Sequence, residues 1–433
     1  MKIDKNILFK LLPLIALGVP QFAAAASSSV RVDSLDPINR SYLESFCSYH
    51  PGSGLCFFTP NPPVRHIYTP PDGDGGGSGP IGDGPAPVPV AVPPVDCRIP
   101  SPPVFTASSC SMKSNLFLNP FTADSAQHRP IGCGAIYADS NHPATRNWLS
   151  AGNGIGFNVG APFGVSVFAV SDADAPKTVN AKAGCPSNNL PASIPFPAGG
   201  IITRTNDERC GDGMVAIINQ SRGQGDQLRG YNWNDGAPTA QNHYAWDIRG
   251  LGHGRPGGGR VGSSASGVAA IFGILRGAEI NTAGVPIQHA LQISLPWGKS
   301  GPCPAMLAPR FMSPAVSMDG NAGRYGVGQI PYGALLALPP ASRGGPNLDS
   351  LGLSEPGKRL ARALQEYGAY AVDSTNCPNI RTDQYVANTD ALKADMRRIY
   401  PYMRMVLNST WVPGQPSVGG GTPLAPNCAF DAR

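Results

Sequence analysis

The residues best placed to do chemistry share one run, Trp246-Asp-Ile-Arg-Gly-Leu-Gly-His-Gly-Arg-Pro-Gly-Gly-Gly-Arg-Val-Gly-Ser-Ser-Ala-Ser-Gly267. With His243 to Arg249 as a strand, side chains alternate between faces. His243, Asp247 and Arg249 then share one face, and Tyr244, Trp246 and Ile248 the other. A charged row beside an aromatic row suits the wall of a groove. The Gly-rich loop that follows carries His253, Arg255 and Arg260. Its glycines allow close approach to a ligand, and equally a tight sheet corner.

Carboxylates are sparse. Asp247, Glu279, Asp319 and Asp373 stand beside strand or loop segments. Glycoside hydrolysis needs two carboxyl groups about 5 Å apart or roughly 6.5 to 9.5 Å apart. A lyase needs a base such as His or Tyr, with Arg or Asn neutralising a uronate carboxylate. His128-Arg129, Asn141-His142, Arg249, His253 and His289 supply those types. Both mechanisms are open at this level. Trp233, Tyr244 and Trp246 could stack on sugar rings or pack the core.

Several local signatures fail on inspection. Gly252-His-Gly-Arg-Pro-Gly257 has the glycine spacing of a dinucleotide loop, with Glu279 further on, but proline sits inside it and no βα units surround it. Gly262-Ser-Ser-Ala-Ser266 lacks the final glycine of a hydrolase nucleophile elbow. His128, His142, His243, His253 and His289 show no helical i, i+4 pair, which leaves only a metal gathered from distant histidines. Asp72 and Asp74 lack the remaining ligands of a calcium loop. No cofactor or metal is expected.

The elements that must position these residues follow from composition and pattern. The 433 residues include 53 Gly and 46 Pro, and only 14% are charged. That composition argues against long solvent-laced helices and for a loop-rich, mainly β protein, while 41% hydrophobic content excludes full disorder. Net charge is +5, about +3 without a leader that carries Lys2, Lys5, Lys10 and Asp4, and no basic run marks a nucleic-acid partner.

Met1 to Ala26 reads as a cleavable signal peptide: a basic start, an apolar stretch from Leu11 to Val19, and small residues before Ser27. Export is therefore expected, to the periplasm, cell surface or medium, with no transmembrane segment after cleavage. The ten cysteines all follow this leader, none in a C-x-x-C pair, and suggest up to five disulfides. Cys47 with Cys56 and Cys97 with Cys110 would close local loops, while the other pairings cannot be read.

Residues 27–57 form a short Cys-containing segment, 58–103 a Pro/Gly-rich linker, and 104–433 the main domain. Strand-like runs such as 156–159, 164–170, 213–219 and 290–295, split by turn residues, suggest a β-sandwich or jelly roll. Two helices are predicted late in the chain. One starts near Ser354, with Leu360, Ala363, Leu364 and Tyr367 on one face and Gly368 at its end. The other runs from Thr389 to about Tyr400, with Leu392, Met396 and Ile399 inward and Pro401 stopping it.

Three stretches together carry a resemblance. They are His128-Arg-Pro-Ile-Gly-Cys-Gly-Ala-Ile-Tyr137, the Arg249–Gly267 loop leading to Ile287-Gln-His-Ala-Leu291, and Ile330-Pro-Tyr-Gly-Ala-Leu-Leu336 followed by Ala361-Arg-Ala-Leu-Gln-Glu-Tyr-Gly-Ala-Tyr370. Over roughly 120–375 the chain resembles a broad set of secreted bacterial proteins. In them an Ile-x-His-Ala-Leu strand precedes a Pro-x-Gly turn and an Ala-Leu-x-x-Tyr-Gly helix-to-strand element. The resemblance implies kinship and export but no reaction, since the set has no settled activity.

The reading is an exported protein acting on polysaccharide or envelope glycan. As a hydrolase it would use Asp247 or Glu279 as acid or base. As a lyase it would use His253 or His289 as base, with Arg249 holding the substrate's negative charge and His128 and Arg129 as further contacts. The rival is a non-catalytic glycan-binding or envelope/matrix structural protein. A peptidase or esterase would need Ser264 or Ser266 within reach of His253 or His289.

Overall fold

The computed structural model describes residues 116–150, 158–160, 164–197, 200–201, 210–234, 237–298, 302–322, 327–415, 417–421 and 423. The chain divides into units 1–91 and 92–433, and every described residue belongs to the second. The leader, the 27–57 segment, the 58–103 linker and the Cys47/Cys56 and Cys97/Cys110 pairings lie outside the described residues.

In chain order the strands begin with β1 (Asn158–Val159), β2 (Val165–Val170), β3 (Pro176–Ala181), β4 (Ala192–Pro195), β5 (Met214–Asn219), β6 (Gln224–Arg229), β7 (Asn232–Asn234), β8 (Ala237–Ala240) and β9 (Asn242–Asp247). They continue with β10 (Leu291–Pro296), β11 (Leu307–Phe311), β12 (Ile330–Tyr332), β13 (Leu335–Ala337), β14 (Ala369–Thr375), β15 (Asn379–Ile380) and β16 (Arg404–Met405). The helices are α1 (Pro143–Leu149), α2 (Gly277–Asn281), α3 (Glu355–Glu366) and α4 (Thr389–Ile399).

The chain is thus mainly β. The largest sheet is mixed, in the order β1-β15-β10-β14-β13-β16; a second runs β2-β5-β6-β9, a third β4-β3-β8-β7, and β11 pairs with β12. These sheets are open, and β1/β15, β10/β14, β11/β12, β2/β5 and β3/β8 pair in parallel. A jelly roll is made of antiparallel Greek keys, so this pairing departs from the one expected. Among the described residues no helix is long and apolar enough to cross a membrane.

Sequence explains much of the local detail. The runs of β5 and β10 are buried at every position, as central strands covered on both faces require. In α3 the Ser354 hydroxyl accepts the Gly357 N–H at 3.1 Å, Pro356 occupies the first turn, and Leu360, Ala363 and Leu364 are buried. Gly368 then turns the chain into β14 with φ +76°, where an added Cβ would press on the Leu336 carbonyl oxygen at 2.9 Å. In α4, Leu392, Met396 and Ile399 face inward as expected. One core cluster joins Leu291, Ile293 and Leu295 of β10 to α3 and α4. A second gathers the inner face of β2, β5 and β9 with residues 268–274, and a third fills the space around β3, β4 and β6. Disulfides Cys185–Cys210 and Cys303–Cys377 tie separate segments of this framework.

Candidate functional site

Strand β9 follows its expected alternation. Trp246 and Ile248 are buried, while Asp247 and Arg249 are exposed at the strand's end. The Asp247 carboxylate accepts the Arg249 N–H at 2.7 Å, which shapes the turn out of the strand. Trp246 lies across Gly225 of the neighbouring strand and 5.8 Å from the Phe121 ring, and Tyr244 packs on the same core. Trp233 stacks with Phe196, at 5.9 Å, and the Lys177 ammonium lies 5.3 Å from its ring. These aromatic rings pack against the protein itself.

His253 lies in a different place, a buried seam. Its Nε2 accepts the Ala126 N–H at 3.1 Å and its Nδ1 donates to the Gly254 carbonyl at 2.8 Å. Both ring nitrogens are therefore used, and the ring must be neutral to accept. Burial lowers its pKa from 6.5 to about 4, opposed in part by the Gly254 hydrogen bond. Its ring meets Trp411 edge-on at 4.6 Å, and the Arg129 guanidinium lies 5.2 Å from the same indole. Arg129 also pairs with Asp124 at 3.1 Å and bonds the Val412 carbonyl, while His128 Nε2 is 2.9 Å from the Pro120 carbonyl. His128, Arg129 and His253 thus join residues 120–129 to 251–254 and 411–412.

Glu279 and His289 do meet, in a third place. Glu279 caps α2 by accepting the Arg276 N–H at 3.0 Å, and its carboxylate lies 3.1 and 3.2 Å from His289 Nε2. His289 Nδ1 faces the Ala290 carbonyl at 2.9 Å. Both nitrogens face acceptors, so the ring is built to donate twice. Burial alone would lower the His289 pKa, but the charge and hydrogen bond of Glu279 outweigh it and the net shift is upward. Arg276 Nε lies 3.1 Å from Asp383, whose carboxylate also accepts the N–H groups of Gly277 and Tyr385. Arg276, Glu279, His289 and Asp383 form one buried network of two acids and two bases, each under 5% exposed. It fastens the start of α2 to the segment after β15.

The predicted groove is therefore not assembled: Asp247 and Arg249, His253, and Glu279 with His289 belong to three separate networks. The Ser264 and Ser266 hydroxyls are fully buried and bond neither histidine. Among the described residues no three His, Cys, Asp or Glu side chains converge as a metal site would need. A cavity of about 320 Å³ between α2 and the starts of α3 and α4, lined by Ile280, Arg359 and Leu392 among others, contains none of the expected site residues.

The structure instead gathers a polar rim at the carboxyl ends of the parallel strands β10 and β14. Ser294 pairs in register with both Asp373 and Asn379, which puts the three on one sheet face. Arg381 reaches across it, donating from Nε to Ser294 Oγ at 3.0 Å and from Nη2 to Asp373 Oδ2 at 2.7 Å. The other Asp373 oxygen accepts the N–H groups of Ala265 and Ser374, at 3.2 and 2.9 Å. The Ser374 hydroxyl donates to Asp319 at 3.0 Å. Two hydrogen bonds and one serine thus separate the carboxylates, a span of no more than roughly 9 Å. Beside them Arg260 donates to Ser317 Oγ at 3.0 Å and to the Ser264 carbonyl at 2.6 Å. Burial, then the charges of Asp319 and Asp373, push the Tyr332 hydroxyl upward. Asp319, Asp373, Ser374 and Ser317 are half-buried and so reach solvent.

Of this rim, sequence supplied Asp319, Asp373 and Arg260 as types but did not join them. The usable signal was β14 itself, apolar from Ala369 to Val372 and then Asp-Ser-Thr at its end. No family model, no curated protein and no solved structure matches the chain.

Proposed function

We propose that the chain is an exported, non-catalytic glycan-binding protein whose ligand contacts centre on Asp319, Asp373, Ser374 and Arg260, with the buried Arg381 holding Asp373 in place. The observation that carries this reading is the rim at the ends of the parallel strands, where the half-buried carboxylates and hydroxyls of Asp319, Asp373, Ser374 and Ser317 stand beside the exposed Arg260. Sugar hydroxyls both donate and accept, and such a mixture answers both needs. Ligands commonly settle at the carboxyl ends of parallel strands. A general acid or base must reach the proton it moves, and His253, Glu279 and His289 are sealed inside with their polar atoms engaged. The two disulfides agree with an oxidising, extracytoplasmic setting.

The test is retention of the folded chain from Ser27 onward on a panel of neutral and acidic polysaccharides. Reducing ends and ultraviolet absorbance of unsaturated products are read in the same tubes. Retention without products, weakened about tenfold by Asp319→Ala, is the expected result; tenfold corresponds to about 1.4 kcal/mol, one good hydrogen bond. New reducing ends alone would turn the reading to a hydrolase using Asp319 and Asp373. Reducing ends with absorbance would mean a lyase. A folded chain that no polysaccharide retains would end the glycan reading.

A further inference from the structure

Three arginines border the rim among the described residues, and each has its partners. Arg381 is paired with Asp373 at 2.7 Å. Arg229, which feels the charges of Asp319 and Asp373, is paired with Asp212. Arg260 is exposed, so water screens its charge, and it gives its N–H groups to Ser317 Oγ and to the Ser263 and Ser264 carbonyls. Asp319 is left over. Its carboxylate accepts the Asn321 N–H at 2.9 Å and the Ser374 hydroxyl at 3.0 Å, both neutral donors, and it enters no ion pair among the described residues. It is also half-buried, so it has given up part of its water without gaining a cation.

A second group beside it lacks a partner. Tyr332 is fully buried, and its hydroxyl makes no hydrogen bond. That hydroxyl lies next to Ser374, in the field of both Asp319 and Asp373. Its strand is tied to β14 by Gly333, whose N–H donates to the Ala371 carbonyl at 2.6 Å. Buried hydroxyls are rarely left without a partner, because each has lost its water for nothing in return.

We propose that the glycan met at this rim carries free amino groups, and that an ammonium group is held by the Asp319 carboxylate with the Ser374 and Tyr332 hydroxyl oxygens as further acceptors. The inference rests on the rim being the ligand site. An ammonium group has three donors and no acceptor, and this corner offers a charge and three oxygen-bearing side chains. An acetylated amine brings no charge to match Asp319, and a uronate is repelled by it. Among the described residues no third acid joins Asp319 and Asp373, so a metal ion would lack ligands. The chain's own net charge is +5, so its overall field repels a polycation. Any preference for one must then come from a local site.

Retention of the folded, exported full chain is compared on an immobilised glucosamine polymer and on the same polymer after N-acetylation, at about pH 6, where a primary amine keeps its proton. Retention on the free amine should be roughly tenfold stronger. Asp319→Asn removes the charge but keeps a hydrogen-bonding side chain, and should abolish the difference between the polymers. Tyr332→Phe removes a hydroxyl that bonds nothing in the protein, so it should fold as the unaltered chain does and narrow the difference. Retention as strong on the acetylated polymer, or only on polysaccharides without amines, would overturn the amine assignment while leaving the rim as the glycan site. A preference unchanged in either variant would place the amine elsewhere and overturn it too. If no polysaccharide of any kind retains the folded chain, the glycan reading fails with it.

Discussion

His253 gives the sharpest quantitative expectation, because its ring is neutral by construction. Burial depresses its pKa to about 4 in the folded state, against 6.5 for the unreacted side chain. The sign follows from proton uptake: below pH 6.5 the unfolded chain binds a proton that the folded chain refuses until pH 4. The stabilisation is therefore complete above pH 6.5 and is lost as pH falls toward 4. Linkage over that interval removes about 2 kcal/mol by pH 5 and about 3 kcal/mol by pH 4. The ring is 2% exposed, so solvent screening does little to reduce this. Carboxylates add their own acid limb, so the measurement is a difference. His253→Gln keeps an acceptor within reach of the Ala126 N–H and cannot titrate. Urea unfolding of both chains from pH 7.5 to 4 should show the unaltered protein losing about 2 to 3 kcal/mol more than the variant. Parallel stability curves would refute the reasoning and mean that the seam around His253 opens to water or accepts the imidazolium.

Three further perturbations probe other parts of the fold. Glu279→Ala leaves His289 without its acid partner and the Arg276 backbone N–H without its acceptor, and thermal unfolding should report a loss of about 3 to 5 kcal/mol. In the unaltered chain the raised His289 pKa acts in the opposite sense to His253: its stabilisation is complete below pH 6.5 and fades as pH rises through the higher folded value, so Glu279→Ala should flatten the alkaline limb. Gly225→Ala drives a methyl group into the Trp246 ring and should cost about 1 to 3 kcal/mol, with a shift in tryptophan fluorescence. Cys303→Ser opens a bridge between residues 74 apart and should lower stability by about 4 kcal/mol, a loss that reduction of the unaltered chain reproduces at that bridge.

What the sequence could reveal was decided by the range of the interaction that matters. The limits of α3 were readable because its signals are local: Ser354 as cap, Pro356 in the first turn, Gly368 after the end. The faces of β9 were readable because alternation needs only six consecutive residues. The roles of His253, Glu279 and His289 were not readable, because each depends on a partner that spacing does not announce. His253 answers to Ala126, 127 positions earlier, and Glu279 meets His289, which lies beyond the end of α2. Likewise Ser294, Asp373 and Arg381 meet only once β10, β14 and β15 have paired in register.

The low charge content sharpens this into an argument about where a ligand can be met. With so few charged residues, a buried one is conspicuous, and burying it requires a partner to replace its water. Arg276 has Asp383, His289 has Glu279, and the seam histidine escapes the problem by staying neutral. Residue types that look catalytic in a list are here the groups that hold remote segments together, and their hydrogen bonds are spent on that task. The rim at the end of β14 differs in one physical respect. Arg381 and Asp373 orient each other, yet Asp319, Ser374 and Ser317 still touch solvent. A polar group held in place by the protein and open to water on its far side is what an incoming hydroxyl can join without first breaking the fold. That combination, rather than the supply of histidines, is the ground on which the rim is proposed as the ligand site.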